Sequence, residues 1–304
     1  MIIILGALLK HNKIINDNFV AISSKVIFTI TLPTLIFLNI ASLNTDNISS
    51  SLSMVFIMSA VVTTVFIVTW FICGFYISQG KDKAAFMQGV YRSNFATLGL
   101  AAAASLYGDS GLAEAALLLA FVVPLYNILG IIALTLPIAK EQQLSSSVIY
   151  RELFGNPIAI GAMAAIPFAA FNITIPILVS NTASYLADLT IPLALLGIGG
   201  VMQLQQRDYS LSQAISGSLV KVVIMPLVGM SAVALLQPYL LLEKQTMGIL
   251  FIVFACPTTS ASFIMAQAMG ANGYLASGIV VISTALSALT MSLGFYLLTS
   301  LALI

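Results

Sequence analysis

The sequence contains very little charge: of 304 residues, 11 are lysine or arginine and 10 are aspartate or glutamate, or 7% of the chain. Soluble domains contain about a quarter charged residues. The chain also has one histidine and two cysteines, too few for a histidine-based metal site or a disulfide framework. Its net charge of +1 excludes the basic surface of a nucleic-acid-binding protein. Charge-driven disorder is excluded for the same reason.

Apolar residues, by contrast, make up 60% of the chain, and the mean hydropathy is +1.08. A transmembrane helix needs about 20 mostly apolar residues to cross roughly 30 Å of hydrocarbon. Polar residues delimit ten predicted spans, at 1–9, 18–42, 52–78, 83–107, 112–137, 154–171, 177–203, 211–236, 244–269 and 273–303. The first is short, either as a helical stub or as the remainder of a longer span. The sequence therefore predicts an all-α, multi-pass membrane protein.

The basic residues predict the orientation of these spans. Alternate connections carry nearly all the lysines and arginines, namely Lys10, Lys13, Lys25, Lys81, Lys83, Lys140, Arg151 and Arg207. The opposite connections carry Asp46, Asp109 and Glu243, with Lys244 as their one basic residue. Because basic loops stay on the cytoplasmic side, ten spans place both termini on the outer side of the cell (inner) membrane.

A short internal repeat relates the second span to the seventh. Residues 31–37 (TLPTLIF) resemble residues 190–196 (TIPLALL), five spans further on. Because five is odd, two homologous five-span units would lie upside down relative to one another, which is the inverted-repeat plan of many secondary transporters. A seven-residue similarity can also arise by chance.

Two predicted spans contain polar or helix-breaking residues near their middle. Residues 88–94 (QGVYRSN) lie in span four, and residues 255–262 (ACPTTSAS) lie at the corresponding place in span nine. An interrupted helix exposes backbone groups that lipid cannot satisfy, so such segments line a cavity. Paired interruptions point to a transport site. The alternative is that Pro257 is an ordinary kink and Asn94 an interhelical hydrogen-bond donor.

These motifs make the sequence resemble the auxin efflux carrier family, which includes bacterial malate and malonate permease-like transporters. In chain order the motifs are 91–94 (YRSN) followed by Gly99, 124–127 (PLYN), 156–157 (NP), 192–199 (PLALLGIG), 257–259 (PTT) and 283–287 (STALS). The chain departs from the family in its short first helix and in Ala101, where members often carry proline.

The resemblance implies ten helices in two inverted repeats, residues 1–140 and 141–304. Helices four and nine would be broken and would cross, as in sodium/proton antiporter or bile-acid symporter folds. It also implies a scaffold domain of helices 1, 2, 6 and 7, a transport domain of helices 3, 4, 5, 8, 9 and 10, elevator-like movement, and a homodimer formed through the scaffold.

The predicted site centres on Arg92, a cation near the bilayer centre. Such a charge is tolerated where it faces water, a carboxylate or an anionic solute, and helix N-termini beside the breaks add positive dipole ends. The predicted substrate is a small organic anion such as a dicarboxylate, with no metal or other cofactor. The predicted substrate-binding residues are Arg92, Ser93, Asn94, Asn127, Pro257, Thr258, Thr259 and Ser260. Asn127 is either a ligand contact or structural glue between helices.

Three further ionisable residues are candidates for coupling transport to protons. Asp188 and Lys221 either form a structural ion pair or take part in a relay, and Glu114 lies near the outer end of span five. A competing hypothesis is a sodium-coupled carrier whose ion is held by Asn94, Asn127 and the hydroxyls of residues 258–260. A channel or ligand sensor on a transporter scaffold is also open, whereas the absence of motifs such as H-E-x-x-H disfavours an enzyme.

Overall fold

The computed structural model describes residues 1–41, 52–142, 155–171, 173–201, 211–240, 242–301 and 303–304, and these residues form helices and short connections without a strand. Asp46, Arg151 and Arg207, which contributed to the predicted orientation, lie outside the described residues. The helices are α1 (Ile2–His11), α2 (Asp17–Ala41), α3 (Leu52–Tyr76), α4 (Gly80–Tyr91), α5 (Phe95–Glu141), α6 (Pro157–Ala170), α7 (Ile177–Val201), α8 (Leu211–Leu240), α9 (Lys244–Ala255), α10 (Ser260–Ala268) and α11 (Gly273–Ser300).

Six of these helices, α2, α3, α5, α7, α8 and α11, are long and apolar enough to cross a membrane. The distribution of side chains is that of a protein dissolved in lipid. Large apolar residues lie on the outside, with Phe75 86% exposed and Leu178 77% exposed, whereas Gln88, Arg92 and Lys221 are buried. Hydrocarbon accepts apolar side chains as readily as the protein core does, so apolar residues lie on the outside as well as in the core. The charged and amide side chains of Gln88, Arg92 and Lys221 face the interior. The prediction of an all-α, multi-pass membrane protein is confirmed.

Helix α5 reverses direction at Gly108. Its 47 residues would extend about 70 Å as a straight helix, more than twice the hydrocarbon thickness. Gly108 has φ 66° and ψ −150°, a conformation essentially restricted to glycine. Residues 109–141 then return antiparallel to α4, since Glu141 accepts a hydrogen bond from the Gly80 amide (2.7 Å) and Asn127 contacts Arg92. The two spans predicted at 83–107 and 112–137 are therefore joined by a turn at Gly108, next to the exposed Asp109 and Ser110.

The helices pack in two groups. In the first, α1 packs against residues 190–201 of α7, and residues 32–41 of α2 pack against α6 and residues 177–188 of α7. Gly6 and Gly199 allow the backbones of α1 and α7 to touch, because a Cβ at either position would collide with backbone atoms of the other helix. In the second group, α3, α4, α5, α8, α9 and α11 pack mainly against one another.

Candidate functional site

The helical interruptions at residues 92–94 and 256–259 lie side by side. Ser93 and Thr258 form an isolated antiparallel β-bridge. The Asn94 amide donates to the Pro257 carbonyl (2.7 Å), and the Thr259 amide donates to the Arg92 carbonyl (3.3 Å). Two stretches that are more than 160 residues apart thus complete each other's backbone hydrogen bonding at the point where neither is helical.

The two interrupted helices enter this point from opposite ends of the molecule. At one end, Gln245 at the start of α9 accepts a hydrogen bond from the Ser110 hydroxyl (3.0 Å), next to the Gly108 turn. At the other end, the Asn272 amide donates to the carbonyl of Lys81 (3.2 Å), at the start of α4. The rod made of α4 and residues 95–107 is therefore antiparallel to the rod made of α9 and α10.

Side-chain hydroxyls cap the carbonyls that the interruptions leave free. The Val253 carbonyl has no helical donor, because Pro257 lacks an N–H, and the Ser93 hydroxyl donates to it (2.6 Å). In the reciprocal contact, the Thr258 hydroxyl donates to the Gly89 carbonyl (2.6 Å). Each hydroxyl keeps acceptor lone pairs after donating, so a structural role for Ser93 and Thr258 leaves them able to accept from a ligand.

A cavity of about 380 Å³ adjoins this crossing. Its walls include six of the eight predicted substrate-binding residues: Arg92, Ser93, Asn94, Thr258, Thr259 and Ser260. Pro257 and Asn127 are not in the walls. The opposite wall comes from the first helix group and includes Leu35, Asn39 and Leu195.

Both helices that restart after an interruption begin in the cavity wall, α5 at Phe95 and α10 at Ser260. The first amides of a helix have no acceptor within it, and the helix dipole makes this end positive. Asn94 and Thr259 occupy the N-cap positions, and the Thr259 hydroxyl accepts from the Ala261 amide at 3.4 Å. The cavity is thus bordered by two positive helix ends.

Arg92 is 5% exposed, and its guanidinium is bound by two residues that do not line the cavity. Its Nη2 donates to Asn127 Oδ1 and its Nη1 contacts the Met265 sulfur, both at 2.8 Å. Within the described part of the chain, the one ion pair joins Lys10 to Asp17, so no carboxylate neutralises the Arg92 guanidinium there. Asn127 therefore lies where it orients Arg92.

Sequence reasoning missed the residues that surround this guanidinium. Met265 carries no polar signal, and its contact with Arg92 crosses 173 positions of the chain. Gln88 stands in the polar motif of span four, but its contact with Met265 (3.5 Å) depends on how the two rods cross. The one sequence signal for Gln88 was its position in that polar motif.

The predicted pairing of Asp188 with Lys221 is wrong. Lys221 is 0% exposed and donates to the carbonyl of Phe254 (2.8 Å), whereas Asp188 is exposed on α7. Glu114 accepts from the Thr246 hydroxyl (2.5 Å) and from Gln245 Nε2 (2.9 Å), which fastens α5 to the start of α9. Sequence spacing did not specify the partners of these ionisable groups.

Comparison with known proteins identifies the family. The family model described as membrane transport protein matches residues 1–295, which is nearly the whole chain. No curated protein matches the chain. This protein therefore belongs to the membrane transport protein family, which is the auxin efflux carrier family that its motifs resemble.

Proposed function

We propose that this protein is a secondary active transporter for a small organic anion such as a dicarboxylate, which binds in the cavity at the crossing of the interrupted helices. The observation that carries the proposal is the buried Arg92, which has no carboxylate partner in the described part of the chain, in the wall of a cavity that two helix N-termini border.

The electrostatics of the cavity favour an anion. A buried cation is costly in a membrane protein unless an opposite charge or water compensates it, and an anionic solute supplies that charge. The α5 and α10 N-termini each contribute about half a positive charge from the helix dipole. A volume of about 380 Å³ is at the small end of the range for ligand pockets, which suits a carboxylate of a few carbons.

We further propose that the chain consists of two inverted repeats, residues 1–140 and 141–304, and works by elevator-like movement. The antiparallel course of the two interrupted rods supports the inversion. Helices α1, α2, α6 and α7 correspond to the scaffold, and α3, α4, α5, α8, α9, α10 and α11 to the transport domain. Because both groups contribute to the cavity wall, sliding one along the other would carry a bound solute across the membrane.

The proposed setting is the cell (inner) membrane, with both termini on the outer side and a homodimer formed through the scaffold. The sodium-coupled alternative is less favoured, because Asn127 Oδ1 lies 2.8 Å from the Arg92 guanidinium. An oxygen already bound to one cation is a poor ligand for a second.

Counterflow in proteoliposomes tests the proposal. Purified protein is first screened for thermal stabilisation by small carboxylates, because a ligand that binds only the native state raises the apparent Tm. A stabilising carboxylate is then loaded inside the vesicles, and uptake of the labelled compound is measured. A carrier shows counterflow, whereas a channel shows single-channel currents and a sensor shows binding without counterflow.

Variants at Arg92 test whether its guanidinium charge binds the carboxylate substrate. Arg92→Met should abolish both the thermal shift and the counterflow, and Arg92→Lys should retain part of them, because a point charge cannot pair with a carboxylate through two parallel hydrogen bonds. The matched control is Lys140→Met, which removes an exposed cation at the end of α5. Normal counterflow by Arg92→Met would remove Arg92 from the site.

A further inference from the structure

Lys221 is the second cation buried near the crossing. It lies in the π-helical segment Val220–Ile224 of α8 and is 0% exposed. Its ammonium nitrogen donates to the Phe254 carbonyl at 2.8 Å and contacts the Met225 sulfur at 3.4 Å. No ion pair involves Lys221 in the part of the chain that the structure describes.

The Phe254 carbonyl is free because α9 is interrupted. In a continuous helix it would accept from the amide of Thr258. That amide donates instead to the Ser283 hydroxyl (3.1 Å). Lys221 therefore binds a carbonyl at the C-terminal end of a half-helix, where the helix dipole is negative and favours a cation.

The donor to Phe254 differs from the donors at the neighbouring free carbonyls. Gly89 and Val253 accept from neutral hydroxyls, and the carbonyls of Arg92 and Pro257 accept from backbone amides. A hydroxyl or amide would have satisfied Phe254 equally well as a hydrogen-bond donor. A lysine instead brings an amine that is positively charged when protonated, at a cost in desolvation.

In secondary transporters with interrupted helices, unwound carbonyls and the C-terminal ends of half-helices coordinate the coupling sodium ion or proton. We infer that the Lys221 ammonium takes the place of such a cation in this chain, so that the protein carries its own positive charge at the crossing and needs no alkali cation there. This inference rests on the proposed carrier function, and it explains why the site would need no sodium ion.

Thermal unfolding in different salts, without any substrate, tests this inference. Lys221→Ala removes the ammonium and leaves space beside the Phe254 carbonyl, whereas Lys221→Met fills that space with an uncharged chain. Wild type should have the same Tm in sodium, potassium and choline chloride. Lys221→Ala should unfold several degrees lower in choline chloride and recover several degrees, saturably, in sodium or methylammonium chloride. Lys221→Met should be destabilised without any recovery.

Lys244→Ala is the matched control, because it removes an exposed lysine from the other end of α9; its Tm should match the wild type in every salt. A wild-type Tm that rises in sodium but not in choline would overturn the inference, as would a folded Lys221→Ala variant that responds to no cation. If neither Lys221 variant can be purified, the wild-type series decides: indifference to the cation supports the inference and sodium dependence overturns it. Since the assay contains no carboxylate substrate and the same chloride counter-ion throughout, its outcome is separate from a failure of counterflow.

Discussion

Thr258 allows the capping role of a hydroxyl at the crossing to be measured. Its side chain is 1% exposed, and its hydroxyl donates to the Gly89 carbonyl at 2.6 Å. Gly89 lies two residues before the end of α4, and the helical donor for its carbonyl would be the amide of Ser93, which lies in the interruption. Thr258→Val keeps the shape of the side chain and removes the donor, so the Gly89 carbonyl is left buried without that partner.

The expected loss follows from the cost of an unsatisfied buried acceptor, about 1–3 kcal/mol. For a chain of 304 residues, with an unfolding entropy of about 2.1 cal/mol/K per residue, such a loss lowers Tm by roughly 2–5 °C. Thr258→Ser keeps the hydroxyl and loses one methyl group, which costs about 1 kcal/mol. The predicted order of stability is therefore wild type, then Ser, then Val, with Thr258→Ala lowest because it loses both groups.

The two cysteines provide the assay. Cys73 and Cys256 are both free and buried, so a thiol-reactive fluorophore in detergent labels the protein as it unfolds. Cys256 lies at the interruption itself, next to Pro257. With Cys73 replaced by serine, the same dye reports on the crossing.

The opposite order would refute this reasoning. If Thr258→Val is as stable as the wild type while Thr258→Ser is destabilised, the methyl group matters and the hydroxyl does not cap the helix. The reciprocal variant Ser93→Ala removes the cap from Val253 (2.6 Å) and should cost a similar amount. The double variant should then show a coupling term, because the two caps share one backbone crossing.

Three further predictions concern individual contacts. Gly130→Ala would place a methyl group 3.0 Å from Arg92 Nη1, displace the guanidinium and weaken carboxylate binding in the thermal-shift screen; unchanged affinity would contradict this. Glu114→Gln should leave the pH dependence of counterflow unchanged, because the Glu114 carboxylate fastens α5 to Thr246 (2.5 Å); a shifted profile would instead make Glu114 a proton carrier. Gly108→Ala should lower the free energy of unfolding by about 1–3 kcal/mol, since φ 66° and ψ −150° strain any side chain; an unaltered Tm would disprove the strained turn.

Hydropathy and motifs were enough to predict the helices and the places where two of them are interrupted. In lipid, the backbone N–H and C=O groups of a span must be hydrogen-bonded within the protein, which favours continuous helices. The two interruptions at the crossing are therefore marked in the sequence by polar or helix-breaking residues. The motifs at 88–94 and 255–262 therefore indicated both interruptions, and the family followed from residues distributed along the whole chain.

The partners of the buried polar groups were decided only by the tertiary structure. An ion pair with Asp188 was one of two hypotheses for Lys221, which instead bonds to Phe254. Met265 contacts Arg92 without any polar signal in its sequence context. Sequence position sets the depth of a residue along its own helix. Which residue it meets depends on the angle and register at which two rods, far apart along the chain, cross.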